Sequence, residues 1–266
     1  MADLTTRVAR TVGKHFVTLS CIQRPAADAL PMTLVFSGFL VAILGEWFYV
    51  TAGHILRDIG TAIAAGSEFD VWRLDDQTAG NRFSGKAVPY AFNLKQWFVL
   101  QDDSQGFDYA IVHLAPFYRR QLEAGGATPI ERAVWSDHVV PADYWVLVGI
   151  PSESVNYDGE SVIRAHVVVA PLRPAEIPEL AERKAENQFY ATPLDGSEAF
   201  FEDADGFSGG PVFALKMVEG RWCYGFIGVQ SAWYRSSRTM AICPFTSFAL
   251  ALEPVVAEAL DEYQRS

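Results

Sequence analysis

The strongest constraint on this chain is a pattern of short, β-branched and aromatic segments that occurs twice, with a polar break between the two occurrences. The first series runs through residues 15–22, 32–44, 46–53, 69–74, 95–100 and 108–114. Each run is too short for a helical core segment and is bounded by turn residues, which is the signature of strands. A polar stretch with a Gly-Gly pair, residues 118–134, then reads as a linker between two halves. The second series covers 144–150, 161–170, 188–193, 211–217, 223–230 and 239–243. Residues 170–188 interrupt it with charges and three prolines and read as a surface loop with a helical turn or two. The last stretch, 247–266, changes to helical spacing, with Pro254 expected as a kink or a fresh start. Many short strands at regular spacing favour barrels or sandwiches. The expected fold is all-β: two six-stranded antiparallel β-barrels, residues 1–125 and 126–266, followed by a C-terminal helix.

Composition narrows the function. Half of the 266 residues are apolar, enough for a real core, so disorder is excluded. The net charge of −11 repels phosphate backbones and anionic lipid, which argues against nucleic acid and membranes as partners. The most apolar run, residues 32–45, falls short of the ~20 residues that a membrane span needs. The N-terminus, MADLTTRVARTVGKHF, lacks the apolar region of a signal peptide. Three cysteines, Cys21, Cys223 and Cys243, show no metal-binding spacing and read as small buried hydrophobes in a reducing, cytoplasmic setting. No metal or organic cofactor is implied.

Three polar residues stand where chemistry is possible. Ser208 lies in DADGFSGGPVF, where Gly206, Gly209 and Gly210 permit a tight turn that presents the hydroxyl and aims the amides of Gly206 and Ser208 at one point. His54 ends the apolar strand WFYVTAGH, beside Ala52 and Gly53, which leave room for close packing. Asp108 opens the apolar run DYAIVHL. Each has a plainer reading alone: a glycine-rich hairpin, a core histidine, a strand-start residue. Together they supply a nucleophile, a base and the carboxylate that orients the base.

The three segments resemble the boxes of the trypsin-like (chymotrypsin-fold) serine proteases. TAGHIL is similar to that family's histidine box, FDYAIVHL to its aspartate box and GFSGGPVF to its serine box, in the same order. The gaps also match: 54 residues from His54 to Asp108 and 100 from Asp108 to Ser208. The α/β-hydrolase elbow, which GFSGG also fits, needs its histidine after the serine, and all five histidines precede Ser208. The resemblance implies a serine endopeptidase working through an acyl-enzyme on a protein or peptide substrate. It also implies an oxyanion hole at Gly206 and Ser208. Glu202 would lie at the base of a specificity pocket, with Ser231, Ala232 and Trp233 on the substrate-pairing strand and the Ser231 hydroxyl supporting Asp108.

Phe207 stands where zymogen-type members carry an aspartate, and no activation segment is evident, so the chain resembles bacterial-type members. Phe207 is expected to act as a hydrophobic latch for the oxyanion loop or to sit flipped in a resting form. An activating protein partner is one consequence. The alternative is a protease-like binding or regulatory protein with weak or no turnover.

Overall fold

The computed structural model describes residues 2–26, 30–75, 87–157, 163–178, 185–196, 201 and 203–265. The chain opens with helix α1 (Ala2–Gly13), which sequence reading did not anticipate. Strands β1 (Thr18–Arg24), β2 (Met32–Phe36), β3 (Phe39–Ile43) and β4 (Glu46–Thr51) follow. Helix α2 (Gly53–Ala64) comes next, then β5 (Glu68–Asp75), β6 (Val88–Pro89), β7 (Phe98–Asp102) and β8 (Phe107–His113). The stretch expected as a linker instead begins with a helix, α3 (Pro116–Ala124), with proline at its start, where the missing N–H costs nothing.

The second half contains β9 (Tyr144–Gly149), the two-residue pair β10 (Asn156–Tyr157) and β11 (Ile163–Arg164), β12 (Val168–Ala175) and β13 (Phe189–Pro193). Then come β14 (Pro211–Val218), β15 (Arg221–Tyr234), β16 (Thr239–Pro244) and helix α4 (Phe245–Arg265). α4 runs through Pro254 rather than restarting there. Strand β12 takes up residues 168–175, so the expected surface loop at 170–188 is in part barrel wall.

The two halves are built differently. In the second, six strands close an antiparallel barrel in the order β12-β13-β16-β15-β14-β9, as expected. Among the described residues the first half shows no closed six-stranded barrel. Its eight strands make two four-stranded sheets, β2-β1-β5-β6 and β3-β4-β8-β7. One seam between them is stitched where the segment before β1 meets the start of β3: Leu40 N–H donates to the His15 carbonyl and Val17 N–H to the Gly38 carbonyl. At the other seam β6 is only two residues long, and a 3-10 turn at Leu94–Gln96 intervenes before β7. Among the described residues, β6 offers too few ladder bonds to close the sheet.

Three apolar clusters hold the molecule. One fills the first half around Leu19, Tyr49, Leu56 and Trp97, and one fills the barrel around Leu147, Phe189, Phe207 and Ile242. The third lies between them and draws on both halves: Phe16, Phe39 and Val50 from the first, and Val148, Phe213, Phe226 and Phe245 from the second. Phe39 meets Phe226 edge-on at 4.9 Å, and Tyr109 stacks on Phe248 of α4 at 4.2 Å. Burying each such ring is worth about 1.5–3 kcal/mol, so this shared cluster fixes one half on the other. His15 reinforces it. The buried ring donates from Nδ1 to the Thr128 carbonyl at 2.7 Å and accepts at Nε2 from the Tyr224 hydroxyl at 3.0 Å.

Cys21 and Cys243 are buried, as expected, whereas Cys223 is exposed at a β15 position whose side chain faces outward. Burial pushes the Cys243 thiol up to about 12, so it is inert at neutral pH. Among the described residues no helix is long and apolar enough to cross a membrane.

Candidate active site

His54 and Asp108 are brought together by strand pairing. β4 and β8 are antiparallel neighbours, with Thr51 opposite Ala110, so the residues just beyond that end of the ladder lie side by side. After β4 the chain turns at Ala52 into α2, which places His54 in the first helical turn. The His54 backbone N–H donates to Asp108 Oδ1 at 2.7 Å, and His54 Nδ1 donates to Asp108 Oδ2, also at 2.7 Å. Ser231 Oγ–H adds a third bond to Oδ2 at 2.6 Å.

Asp108 is 6% exposed. Burial is the largest single influence and opposes its charge. The His54 ring, the Ser231 hydroxyl and the His54 amide together outweigh it and hold the carboxyl below the ordinary carboxylate range. With Nδ1 donating to a carboxylate, Nε2 is left as the basic nitrogen of the ring.

Ser208 comes from the other half, in the turn just before β14. That turn is docked against the first half. Gly209 takes φ +87°, and a Cβ there would stand 2.1 Å from Thr51 Oγ1 and 2.5 Å from the Ser37 carbonyl. Only glycine fits this backbone and this approach.

Ser37, which sequence reading passed over, bridges three segments. Its Oγ donates to the Gly206 carbonyl at 2.7 Å and accepts from Ile150 N–H at 3.0 Å, while its own carbonyl accepts from Thr51 Oγ1 at 2.7 Å. The available signal was the polar pair Ser37-Gly38 inside an otherwise apolar run. Phe207 is wholly buried, seated where a Cβ on Gly149 of β9 would lie 2.3 Å from its ring, with Phe201 5.0 Å away. It anchors the turn by packing.

His54, Ser208 and Gly206 share the wall of one cavity of about 390 Å³. The Ser208 hydroxyl rests 3.5 Å from the Ser231 carbonyl, and no hydrogen bond joins it to His54 among the described residues. Neither Gly206 N–H nor Ser208 N–H donates to a protein acceptor among the described residues. The Asp205 carbonyl is held by Ser152 N–H at 2.8 Å. In a trans peptide the N–H points away from the C=O, so the Gly206 amide faces away from that bond.

The chain has the trypsin-like protease fold. The likeness that carries this is to a scabies mite inactivated protease paralogue: TM-score 0.53, 12% identity, 94% of this chain and 94% of that one. A thermostable serine protease from an extremophilic microorganism matches 90% of this chain and 94% of its own at 15% identity and TM-score 0.49. The serine protease domain of the Sesbania mosaic virus polyprotein matches 90% and 92% at 13% identity and TM-score 0.44. No family model and no curated protein matches the sequence.

The expected specificity residues separate. Ser231 is bound to Asp108. Ala232 lines a second cavity, about 210 Å³, on another side of His54. Trp233 packs on the barrel cluster that also holds Phe207. Glu202 lies outside the described residues. Its neighbours Asp203 and Asp205 are both paired with Arg235, Asp203 at 2.8 Å, so these acids are partly neutralised within the chain.

Proposed function

We propose that this chain is a serine endopeptidase in which Ser208 is the nucleophile, His54 the general base and Asp108 the group that orients it. The observation that carries the reading is the Asp108 carboxylate, which accepts from both the backbone and the ring of His54 and from Ser231. These bonds fix the tautomer that leaves Nε2 free to take a proton. Ser208 Oγ attacks the substrate carbonyl as Nε2 takes its proton, a transfer that needs the two atoms within about 2.6–3.2 Å. The amides of Gly206 and Ser208 stabilise the oxyanion; losing one such donor typically costs about 100- to 1,000-fold in rate. His54 then protonates the leaving amine, and water repeats the sequence on the acyl-enzyme. We divide the chain at 125/126, with the base and its carboxylate in the first half and the nucleophile in the second. The three free thiols support a reducing, cytoplasmic location.

A fluorophosphonate probe tests the reading. Wild type should label on Ser208, and Ser208→Ala should not. A second reading is a protease-like binding or regulatory protein. It is favoured by the Ser208 hydroxyl resting on Ser231 rather than on His54, and it predicts no labelling under any condition. If a protein partner switches the site on, labelling appears only when that partner is added.

A further inference from the structure

The turn that leads into Asp108 is gripped by the second half. Its own shape is set locally. Asp102 Oδ1 accepts from the Ser104 N–H at 2.9 Å, the Ser104 hydroxyl at 2.6 Å and the Gln105 N–H at 3.1 Å, and Gly106 N–H donates to the Asp102 carbonyl at 2.8 Å. Those bonds close the turn on itself but do not fix where it sits. The next two carbonyls do. That of Gln105 accepts from the Asn187 N–H at 3.2 Å and from Asn187 Nδ2 at 2.9 Å. That of Gly106 accepts from Gln188 Nε2 at 3.1 Å and from the Cys243 thiol at 3.2 Å. The same Gln188 nitrogen reaches Cys243 Sγ at 3.5 Å, so the two donors brace each other. The approach is close: Gly106 takes φ +78°, and a Cβ there would stand 2.4 Å from Ala185 Cβ and 2.9 Å from Gln188 Cγ.

Asp108 follows two residues later. Two of its three bonds come from His54, within the first half, where the pairing of β4 with β8 secures them. The third comes from Ser231 of β15, across the cleft. An O–H···O bond weakens outside about 2.5–3.0 Å, so this one depends on where β8 sits against the barrel. Beyond Asp108, the Tyr109 hydroxyl donates to the Pro244 carbonyl and the Tyr109 ring stacks on Phe248. Asp108 is thus held between two anchors on the second half, one at residues 105–106 and one at 109.

We infer that Gln188, with Asn187 beside it, is a positioning residue: through the Gln105 and Gly106 carbonyls it keeps the Asp108 carboxylate in reach of Ser231, and so sets how firmly that carboxylate holds the His54 ring. This inference rests on the proposed triad. Among the described residues neither side chain hydrogen-bonds His54, Asp108 or Ser208; their partners are Gln105, Gly106 and Cys243.

The proton between His54 Nδ1 and Asp108 reports on this directly, because its NMR resonance follows the geometry and basicity of the pair it joins. Gln188→Met keeps the length of the side chain and removes both donated bonds. The resonance would be located in wild type, Gln188→Met, Ser231→Ala and the double variant. The rate of fluorophosphonate labelling at Ser208 and the thermal midpoint would be measured on the same samples. Gln188→Met and Ser231→Ala should move the resonance in the same direction, Gln188→Met by less. Labelling should slow about fivefold in Gln188→Met. The double variant should match Ser231→Ala in both readouts, because the bond that the grip serves is already gone. A side chain that only stabilised the fold would lower the midpoint and leave the resonance and the rate of the folded protein alone. An unmoved resonance in Gln188→Met, a labelling rate equal to that of a labelling wild type, or shifts that sum in the double variant would each overturn the inference. If Gln188→Met does not fold, Asn187→Ala carries the same comparison, since the Gln105 carbonyl keeps its backbone donor. If wild type does not label, the endopeptidase reading fails, and the resonance still decides whether Gln188 positions Asp108.

Discussion

The two halves solve the same problem differently. The second closes its six strands into a ring, so every strand has two neighbours, and it delivers Ser208 from a turn at the ring's rim. Among the described residues the first joins its two sheets by backbone bonds at one seam, and the strand ends near that seam carry His54, Asp108, Ser37 and Thr51. The closed half is held by continuous backbone pairing. The open half depends on side-chain hydrogen bonds and on packing against its neighbour. Each contributes part of the proposed site, and the turn that carries Ser208 is seated by groups of the open half.

Four substitutions would break or sharpen this contrast. The largest effect belongs to Ser208, the proposed nucleophile. Ser208→Ala should lower kcat/KM by about 10⁵- to 10⁶-fold while leaving the thermal midpoint nearly unchanged, because the barrel does not depend on that hydroxyl. Loss of activity together with collapse of the fold would mean that Ser208 is structural.

Next is the docking of the turn. Gly209→Ala forces a Cβ onto Thr51 and the Ser37 carbonyl at a positive φ. It should cost about 3–4 kcal/mol in urea unfolding, and activity should fall with it. A cost below 1 kcal/mol would show that the two halves are not clamped at this point.

His15 measures the lock between the halves through pH. Burial pushes its imidazole down to about 4, against an ordinary value of 6.5, although the bond to Thr128 opposes the shift. Between those two values the unfolded chain binds a proton that the native chain does not. Stability therefore rises with pH across this window, and about 3 kcal/mol is lost as pH falls from 6.5 toward 4. His15→Gln should flatten that part of the pH–stability curve. An unchanged slope would assign the acid sensitivity elsewhere.

The smallest effect is expected at Ser231. Ser231→Ala removes one of three bonds to Asp108, all within the site rather than in the frame. A fall of about tenfold in kcat/KM, with stability changed by less than ~1 kcal/mol, is expected from kinetics and denaturation measured side by side.

Much of this was legible before any coordinates. The β-branched runs marked most of the strands, and the segments around His54, Asp108 and Ser208 marked a bonded pair, His54 and Asp108, and a serine on the same cavity as the histidine. Some misses had readable signals. In α2, Ile55, Leu56, Ile59 and Ile63 recur at helical spacing, and Pro116 is a helix-start residue. Other features had none. That Phe207 fills the notch at Gly149, that Ser37 bridges Ile150 to Gly206, and that Arg235 reaches Asp203 all involve residues between 32 and 169 positions apart.

By itself the sequence determined the local chemistry: which segments extend, which turns need glycine, and which imidazole, carboxylate and hydroxyl are candidates to meet. Those outcomes follow from side-chain sterics and periodicity within a few residues. Only the tertiary structure decided that one half closes and the other stays open, which cavity lies beside the serine, and which hydroxyls complete the site. Ring closure depends on whether the last strand finds enough ladder partners. Close contacts across the cleft depend on atoms brought together by the shared apolar cluster, and neither is encoded in any single stretch of chain.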